Sequence, residues 1–588
     1  MKPLFKLQSI LKHKKLSAYL IPKYNFYFSE ELLPSEERLK YVTNFSGSAG
    51  WAVIISDKNQ KSAIFTDGRY KLQVEKESDK NYFEFFNGGL SELATFLYQR
   101  KVKLKNIGFD PNVISTSDYN FLRDKLIGSQ TLLKKVEKNL VDIIWHDKPI
   151  IKKSNIYKLP LKFSGKKSSQ KIKQLITTIS NNKSNGYILN KPDCLSWLLN
   201  VRGSELKYSP VFRALAIVKK DGKIIIFTEN IITNNVFKNN KNIKIYEFKF
   251  LKIFLNSLVK ETFLIDPKVT PIHIFWILKK NKNKIIEINC PISEIKTLKN
   301  NVEQKHSKNT HLIDGFAFLK FWKWFESCKN IFNLTEEDLS KKLFYYRSLN
   351  KLFNGNSFPT ISAIGKNGAI VHYRYTKNRS SKIKKNQLYL LDSGGQYTSG
   401  TTDVTRTLIL GKPNEEMKNY YTYVLKGHLA LSNLIFPVGS KGRDIDAIAR
   451  RYLWKVCEDY DHGTGHGVGF FLNVHEGPIS ISKNNDYKIQ PGMFISNEPG
   501  YYKKNYFGIR IENLELVKRV QKNKNYLFFE TLTMIPYEKK LINKSLLTKE
   551  EIQQINEYHE IVFKKLKQLI YKNDVSLVNF LRHKTSSL

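Results

Sequence analysis

Short apolar runs and amphipathic stretches alternate through the first half of the chain. WAVIISD (51–57) and KSAIFTDGR (61–69) read as strands, and SELATFLYQRKVK (91–103) reads as a helix. A second set repeats the same plan. SSQKIKQLITTISNN (168–182) has helical spacing, and SNGYILN, ALAIVKK and KIIIFTE read as short strands. ETFLIDPKVTPIHIFWILKK (261–280) is a strand that runs into a helix. Between the two sets, VDIIWHDKPIIKKSN (141–155) reads as a linker, with Pro149 ahead of a polar basic tract. The two sets resemble related α/β units, although no residue-level repeat stands out.

Near residue 297 the pattern changes. KTLKNNVEQKHSKNTHLIDGFAFLKFWKWFESCKN is a long amphipathic helix, and the chain beyond it is mixed, glycine-rich and full of hairpin signals. At the C-terminal end, Thr548 before two glutamates predicts an N-capped terminal helix. The expected architecture is α/β (α+β) in three domains at 1–148, 149–296 and 297–588, with the chemistry in the third.

Composition adds few constraints. Hydrophobic residues make up 41% of 588, with 37 Phe and 31 Tyr, which is ample for several cores. The four cysteines (Cys194, Cys290, Cys328, Cys457) form no CxxC pair, so neither a zinc knuckle nor a disulfide framework is indicated. The basic N-terminal stretch has no apolar signal core, and no run of 18 apolar residues occurs, so a cytoplasmic protein with no membrane partner is expected. The formal net charge is +44. Between Lys455 and Glu512, however, six Lys/Arg face seven Asp/Glu, so the excess lies outside the motif-rich region. Together with abundant Lys, Asn and Ile, this points to codon bias, and no specific nucleic-acid partner is expected.

Five segments carry candidate chemistry. LYLLDSGGQYTSGTTDVTRTLIL (388–410) is strand–turn–strand with Asp392 and Asp403 flanking the turn. A carboxylate that ends an apolar run, as Asp392 does, needs a counter-charge. DHGTGHGVGFFLNVHEGP (461–478) brings His462, His466 and His475 onto a loop too glycine-rich for a helix. MFISNEPGYY sets Glu498 after an apolar run and before a Pro-Gly turn. FGIRIENLEL alternates, with Arg510 and Glu512 on one face. AIVHYRY (369–375) reads as strand-like, interrupted by His372. Each residue alone has an ordinary structural reading as turn cap, cross-strand pair or core histidine. Together, four carboxylates and an imidazole form a hard donor set that crowds negative charge, which divalent cations would neutralise.

The order Asp…Asp…His…Glu…Glu, in LDSGGQYTSGTTDVTRT, HGTGHGVGFFLNVHEGP, NEPGYY and GIRIEN, resembles the pita-bread metallopeptidases. Within them the chain is most similar to the cytosolic three-domain Xaa-Pro aminopeptidases. FSGSAGWAVI, FTDGRYKLQ and LSWLLNVRGSELKYSPVF extend the likeness into the first two regions, which it identifies as creatinase-like. The resemblance implies metal ligands at Asp392, Asp403, His466, Glu498 and Glu512, with Asp403 and Glu512 bridging two divalent ions, most naturally Mn2+. It implies non-ligand histidines at His372, His462 and His475 around the scissile bond and proline pocket, and a substrate-shaping role for Arg510. Glu498, His372 and His475 would be catalytic, and the ions would activate a water. The implied reaction releases the first residue of peptides with proline second, in a homodimeric enzyme. The rivals are a prolidase-like dipeptidase, whose chains usually carry one N-terminal domain, a metal-free creatinase, and a non-catalytic peptide-binding protein on the same fold. The five intact ligand positions weigh against the last two.

Overall fold

The computed structural model describes residues 2–99, 104–150, 154–229, 236–238, 240–376, 380–571 and 573–588. The last residues of the SELATFLYQRKVK stretch and the middle of the basic linker lie outside them. The chain forms two compact units. One comprises residues 1–159, 166–206 and 211–292, and the other residues 160–165, 207–210 and 293–588.

The first unit holds two six-stranded sheets. Numbered in chain order within its own sheet, each set of strands has the spatial order 4-3-2-1-5-6. The pairings match as well: first with second and second with third antiparallel, the other three parallel. The kinship suspected from the elements is therefore a repeat of topology. Strand Trp51–Ile55 shows why these runs are apolar without a break. Ala52 and Ile54 pack into one core with Leu4, Leu7 and Leu11, while Trp51, Val53 and Ile55 pack into another with Leu93 and Leu97. Successive side chains enter opposite faces, and helices cover both.

The linker reading of VDIIWHD is corrected. Leu140–Ile144 is a helix capped by the Asn139 side chain, and Leu140, Val141 and Ile144 are buried. Trp145 stacks on Tyr41 at 4.3 Å, so the segment closes the first core. Its apolar spacing is too dense for an exposed connection.

The longest helix of the second unit is Asn301–Ser327. Asn300 caps its first turn and Glu303 completes a reciprocal capping box. A three-stranded sheet sets Leu388–Ser393 between Ile361–Ile364 and Val404–Ile409, all antiparallel. A four-stranded sheet runs Ile435–Pro437, Tyr526–Thr531, Asn513–Arg519, Phe494–Asn497. The helix expected at Thr548 forms as Lys549–Lys567, with the Thr548 side chain accepting from Glu551 N–H, but it is not the terminal one: a further helix, Val575–Thr585, capped by Asp574, follows it. The strand expected around His372 does not form. Residues Gly365–Ala369 make a 3-10 turn, and His372 comes after it in irregular chain. Among the described residues no helix is long and apolar enough to cross a membrane.

Candidate metal centre

The candidate ligands sit where strands end. In the ladder between Leu388–Ser393 and Val404–Ile409, Asp392 stands opposite Thr405, and Asp403 immediately precedes the second strand. Glu498 comes directly after strand Phe494–Asn497, and its N–H donates to Thr464 C=O at 2.8 Å, beside the histidine loop. Glu512 lies just beyond Phe507–Arg510, and its N–H donates to Thr405 C=O at 3.1 Å. His466 lies on a two-residue strand paired with Ser480–Ile481. Gly465 before it lies so close to Ser496 that an added Cβ would fall 1.8 Å from that carbonyl oxygen. Only glycine admits this approach, and it delivers His466 to the carboxylates.

Three groups of side chains converge with candidate donor atoms within 4.8 Å of one another: Asp392, Asp403 and Glu512; His466, Glu498 and Glu512; Asp403, His466 and His475. Glu512 belongs to two groups, and so does Asp403. His466 Nε2 is 3.5 Å from Asp403 Oδ2 and 3.4 Å from Glu498 Oε1. Its Nδ1 lies 2.9 Å from Gly467 C=O. A proton on Nδ1 satisfies that carbonyl, so Nε2, which faces the acids, is the atom that would bind a metal once its own proton is displaced.

Burial makes this cluster costly. Asp392, Asp403 and Glu512 expose 7%, 4% and 1% of their surface. Burial, reinforced by Asp403, Glu498 and Asp392, pushes the Glu512 carboxyl well above the usual range. Burial also raises Glu498, against the lowering influence of His466 and Arg510, and raises Asp392, which Arg510 only partly offsets. Desolvation alone would lower His466, but Asp403 and Glu498 outweigh it and raise its pKa to about 9. Arg510 is the guanidinium of the cluster, 2.6 Å from Asp392 Oδ2. The other oxygen, Asp392 Oδ1, is buried and accepts no hydrogen bond among the described residues. Four carboxylates against one guanidinium, with an orphaned oxygen among them, are a donor set that fits divalent cations.

The remaining expected residues divide. His475 is exposed and its ring lies 4.4 Å from that of His466, nearly perpendicular to it. His372 is half-buried on its turn, and Arg510 donates to the neighbouring Val371 C=O at 3.4 Å. His462 is buried outside the carboxylate cluster, with Nδ1 2.8 Å from Gly463 C=O and Nε2 2.8 Å from Tyr502 OH. Tyr502 also receives a hydrogen bond from Arg510, so a polar chain runs His462–Tyr502–Arg510–Asp392.

Two participants escaped the sequence reading. Thr405 Oγ1 donates to Glu512 Oε2 at 2.7 Å, and Tyr502 links His462 to Arg510. Thr405 was within reach of a period-two argument, since it stands two residues after Asp403 on the same face. Tyr502 lies in the NEPGYY stretch but had no chemistry of its own to mark it.

Family models match nearly the whole chain. The model for metallopeptidase family M24 matches residues 305–519, and that for the C-terminal region of the same peptidases matches 525–588. Models of the creatinase/prolidase N-terminal domain match twice, at 4–142 and 147–303. A probable Xaa-Pro aminopeptidase P of Laccaria bicolor is 38% identical over all of this chain and 93% of its own length. One of Coprinopsis cinerea is 36% identical over all of this chain and 98% of its own. The crystal structure of an X-prolyl aminopeptidase from Caenorhabditis elegans, described as a cytosolic enzyme with a di-nuclear active site, superposes with a TM-score of 0.93 at 30% identity. That match covers 100% of this chain and 99% of the other.

Proposed function

The chain belongs to metallopeptidase family M24, in its Xaa-Pro aminopeptidase P branch with two creatinase-type N-terminal domains, and from this we infer its reaction. It is a metal-dependent aminopeptidase that releases the first residue of peptides with proline second. The observation that carries the reading is the meeting of buried Asp392, Asp403 and Glu512 with half-buried His466 and Glu498. The centre takes two divalent ions. Asp403 and Glu512 would hold both, Asp392 would complete one site, and His466 with Glu498 the other. Manganese suits a carboxylate-rich set with one imidazole. The chemistry such ions supply when bound is Lewis-acid polarisation of a carbonyl and acidification of a water.

The protein's own groups do the rest. The Glu498 carboxylate takes the proton of the attacking water and returns it to the proline nitrogen. That nitrogen carries no hydrogen in the peptide and leaves only once protonated, so proton delivery governs the break. His475 and His372 donate to the scissile carbonyl and support that transfer. The free α-amine pairs with Asp392, which restricts cleavage to the first residue. Arg510 holds Asp392 in place and, through Tyr502, orients His462 at the proline pocket. We propose domains at 1–148, 149–296 and 297–588 and a homodimeric active form; the likeness to a cytosolic enzyme supports a place in the cytoplasm.

Metal analysis of the purified chain, with Xaa-Pro-Yaa and Xaa-Pro hydrolysis before and after chelation, tests the reading. Two divalent ions per chain and tripeptide cleavage lost on chelation are expected. Cleavage of the dipeptide alone would favour a prolidase, and chelator-resistant activity would overturn the metal mechanism.

A further inference from the structure

Glu336 is fully buried, yet it lies in the first turn of helix Glu336–Ser348, far along the chain from every candidate ligand. Each of its oxygens receives two hydrogen bonds. Oε1 accepts from Ile364 N–H and Asn367 Nδ2, both at 2.8 Å. Oε2 accepts from Ser381 N–H at 2.8 Å and Tyr373 OH at 2.9 Å. All four donors are uncharged, and they belong to the segment that carries His372: Ile364 where it begins, Ser381 where it returns, Asn367 and Tyr373 on either side of the histidine. The backbone repeats the attachment, because Glu336 N–H donates to Ser381 C=O at 3.0 Å and Ile383 N–H to Leu334 C=O at 3.0 Å.

The opposite side of the turn rests on the metal centre's own strand. An added Cβ on Gly508 would fall 1.8 Å from Gly368 C=O, and Arg510 donates to Val371 C=O at 3.4 Å. The histidine is thus carried by irregular chain clamped between one carboxylate and one strand. Irregular chain has no ladder to hold it, so the clamp supplies the order that a strand would otherwise give.

We propose that Glu336 is the positioning residue of His372: it touches no reacting atom, and it fixes the turn so that the imidazole meets the substrate carbonyl. The proposal rests on the role given to His372 above. Glu336→Gln is the informative change. Whichever way the amide is turned, one backbone N–H, of Ile364 or Ser381, faces an NH2 group and loses its acceptor. Misplacement of a catalytic group by about 1 Å costs up to roughly a hundredfold in rate. Tyr373→Phe removes a single donor and serves as the milder variant should Glu336→Gln fail to fold.

The test is a double-mutant cycle on the metal-loaded full chain, reading kcat, KM and metal content. Glu336→Gln should lower kcat about tenfold or more, and Tyr373→Phe less, with metal content unchanged. In a His372→Ala background neither should lower kcat further. An equal loss in both backgrounds, or wild-type kcat in Glu336→Gln, overturns the proposal while leaving His372 its role. If His372→Ala itself turns over at the wild-type rate, the role of His372 falls and the proposal falls with it.

Discussion

Arg510 reaches Asp392 Oδ2 at 2.6 Å, and both side chains are buried. The guanidinium is the fixed positive charge of a cluster of four acids with His466 and His475, and it also binds Tyr502 OH and Val371 C=O. It therefore joins the carboxylate end of the site to its histidine end.

Removing that charge while leaving the acid should be severe. Breaking a buried pair from one side costs about 3–5 kcal/mol, because the remaining charge stays desolvated. Arg510→Met should destabilise the metal-free protein by about that amount, measured by denaturant unfolding. Added divalent cation should recover part of the loss, since it neutralises the same carboxylates. A loss of under about 1 kcal/mol in both states would mean that Asp392 is compensated elsewhere.

Glu498→Gln keeps the shape of the side chain and removes its basicity. General acid–base catalysis contributes about 10²–10⁴-fold, so kcat on an Xaa-Pro-Yaa peptide should fall by at least about a hundredfold in metal-replete enzyme. Turnover near the wild-type rate would remove Glu498 from proton transfer.

His466 and His475 have rings 4.4 Å apart and should nevertheless behave differently. His466→Ala should lower the bound metal measured by elemental analysis. His475→Ala should keep the metal and lower kcat. Equal metal loss in both would show that His475 is a ligand, as its place beside Asp403 and His466 would allow.

Glu515 makes a pH prediction away from the metal ligands. It is buried on strand Asn513–Arg519, accepts from Ser432 Oγ at 2.7 Å, and burial raises its pKa to about 7. The fold holds it protonated through a range in which the unfolded chain, near 4.5, has lost the proton. Its contribution is complete below about pH 4.5 and is lost as pH rises towards 7, by about 3 kcal/mol at most. Glu515→Gln should flatten that decline in denaturant titrations between pH 5 and 8. An unchanged slope would place the pH dependence on other groups.

The elements were legible where periodicity was undisturbed. Trp51–Ile55, Ser62–Thr66, Ser168–Asn181 and the helix begun by Thr548 all derive from apolar spacing or capping chemistry. AIVHYRY misled because its apolar residues look strand-like, while Gly365 at φ 53° turns the chain and Glu336 takes up the N–H and hydroxyl groups around it. VDIIWHD misled in the other direction, since a proline and a basic tract downstream drew attention from a short, densely apolar helix.

Side-chain chemistry and local spacing are short-range information, and they determined which groups this protein has: four acids and an imidazole in a set order, on strands and a glycine-rich loop. Which of those groups meet was decided by tertiary structure. Asp392 and Arg510 are 118 residues apart and are joined only because their strands converge on one buried site. Glu336 carries no motif at all, and the fold alone makes it the anchor of the His372 turn. The reason is common to both cases: a buried charge or hydrogen-bonding group must find a partner wherever packing brings one, and packing depends on long-range strand pairing that no local pattern encodes.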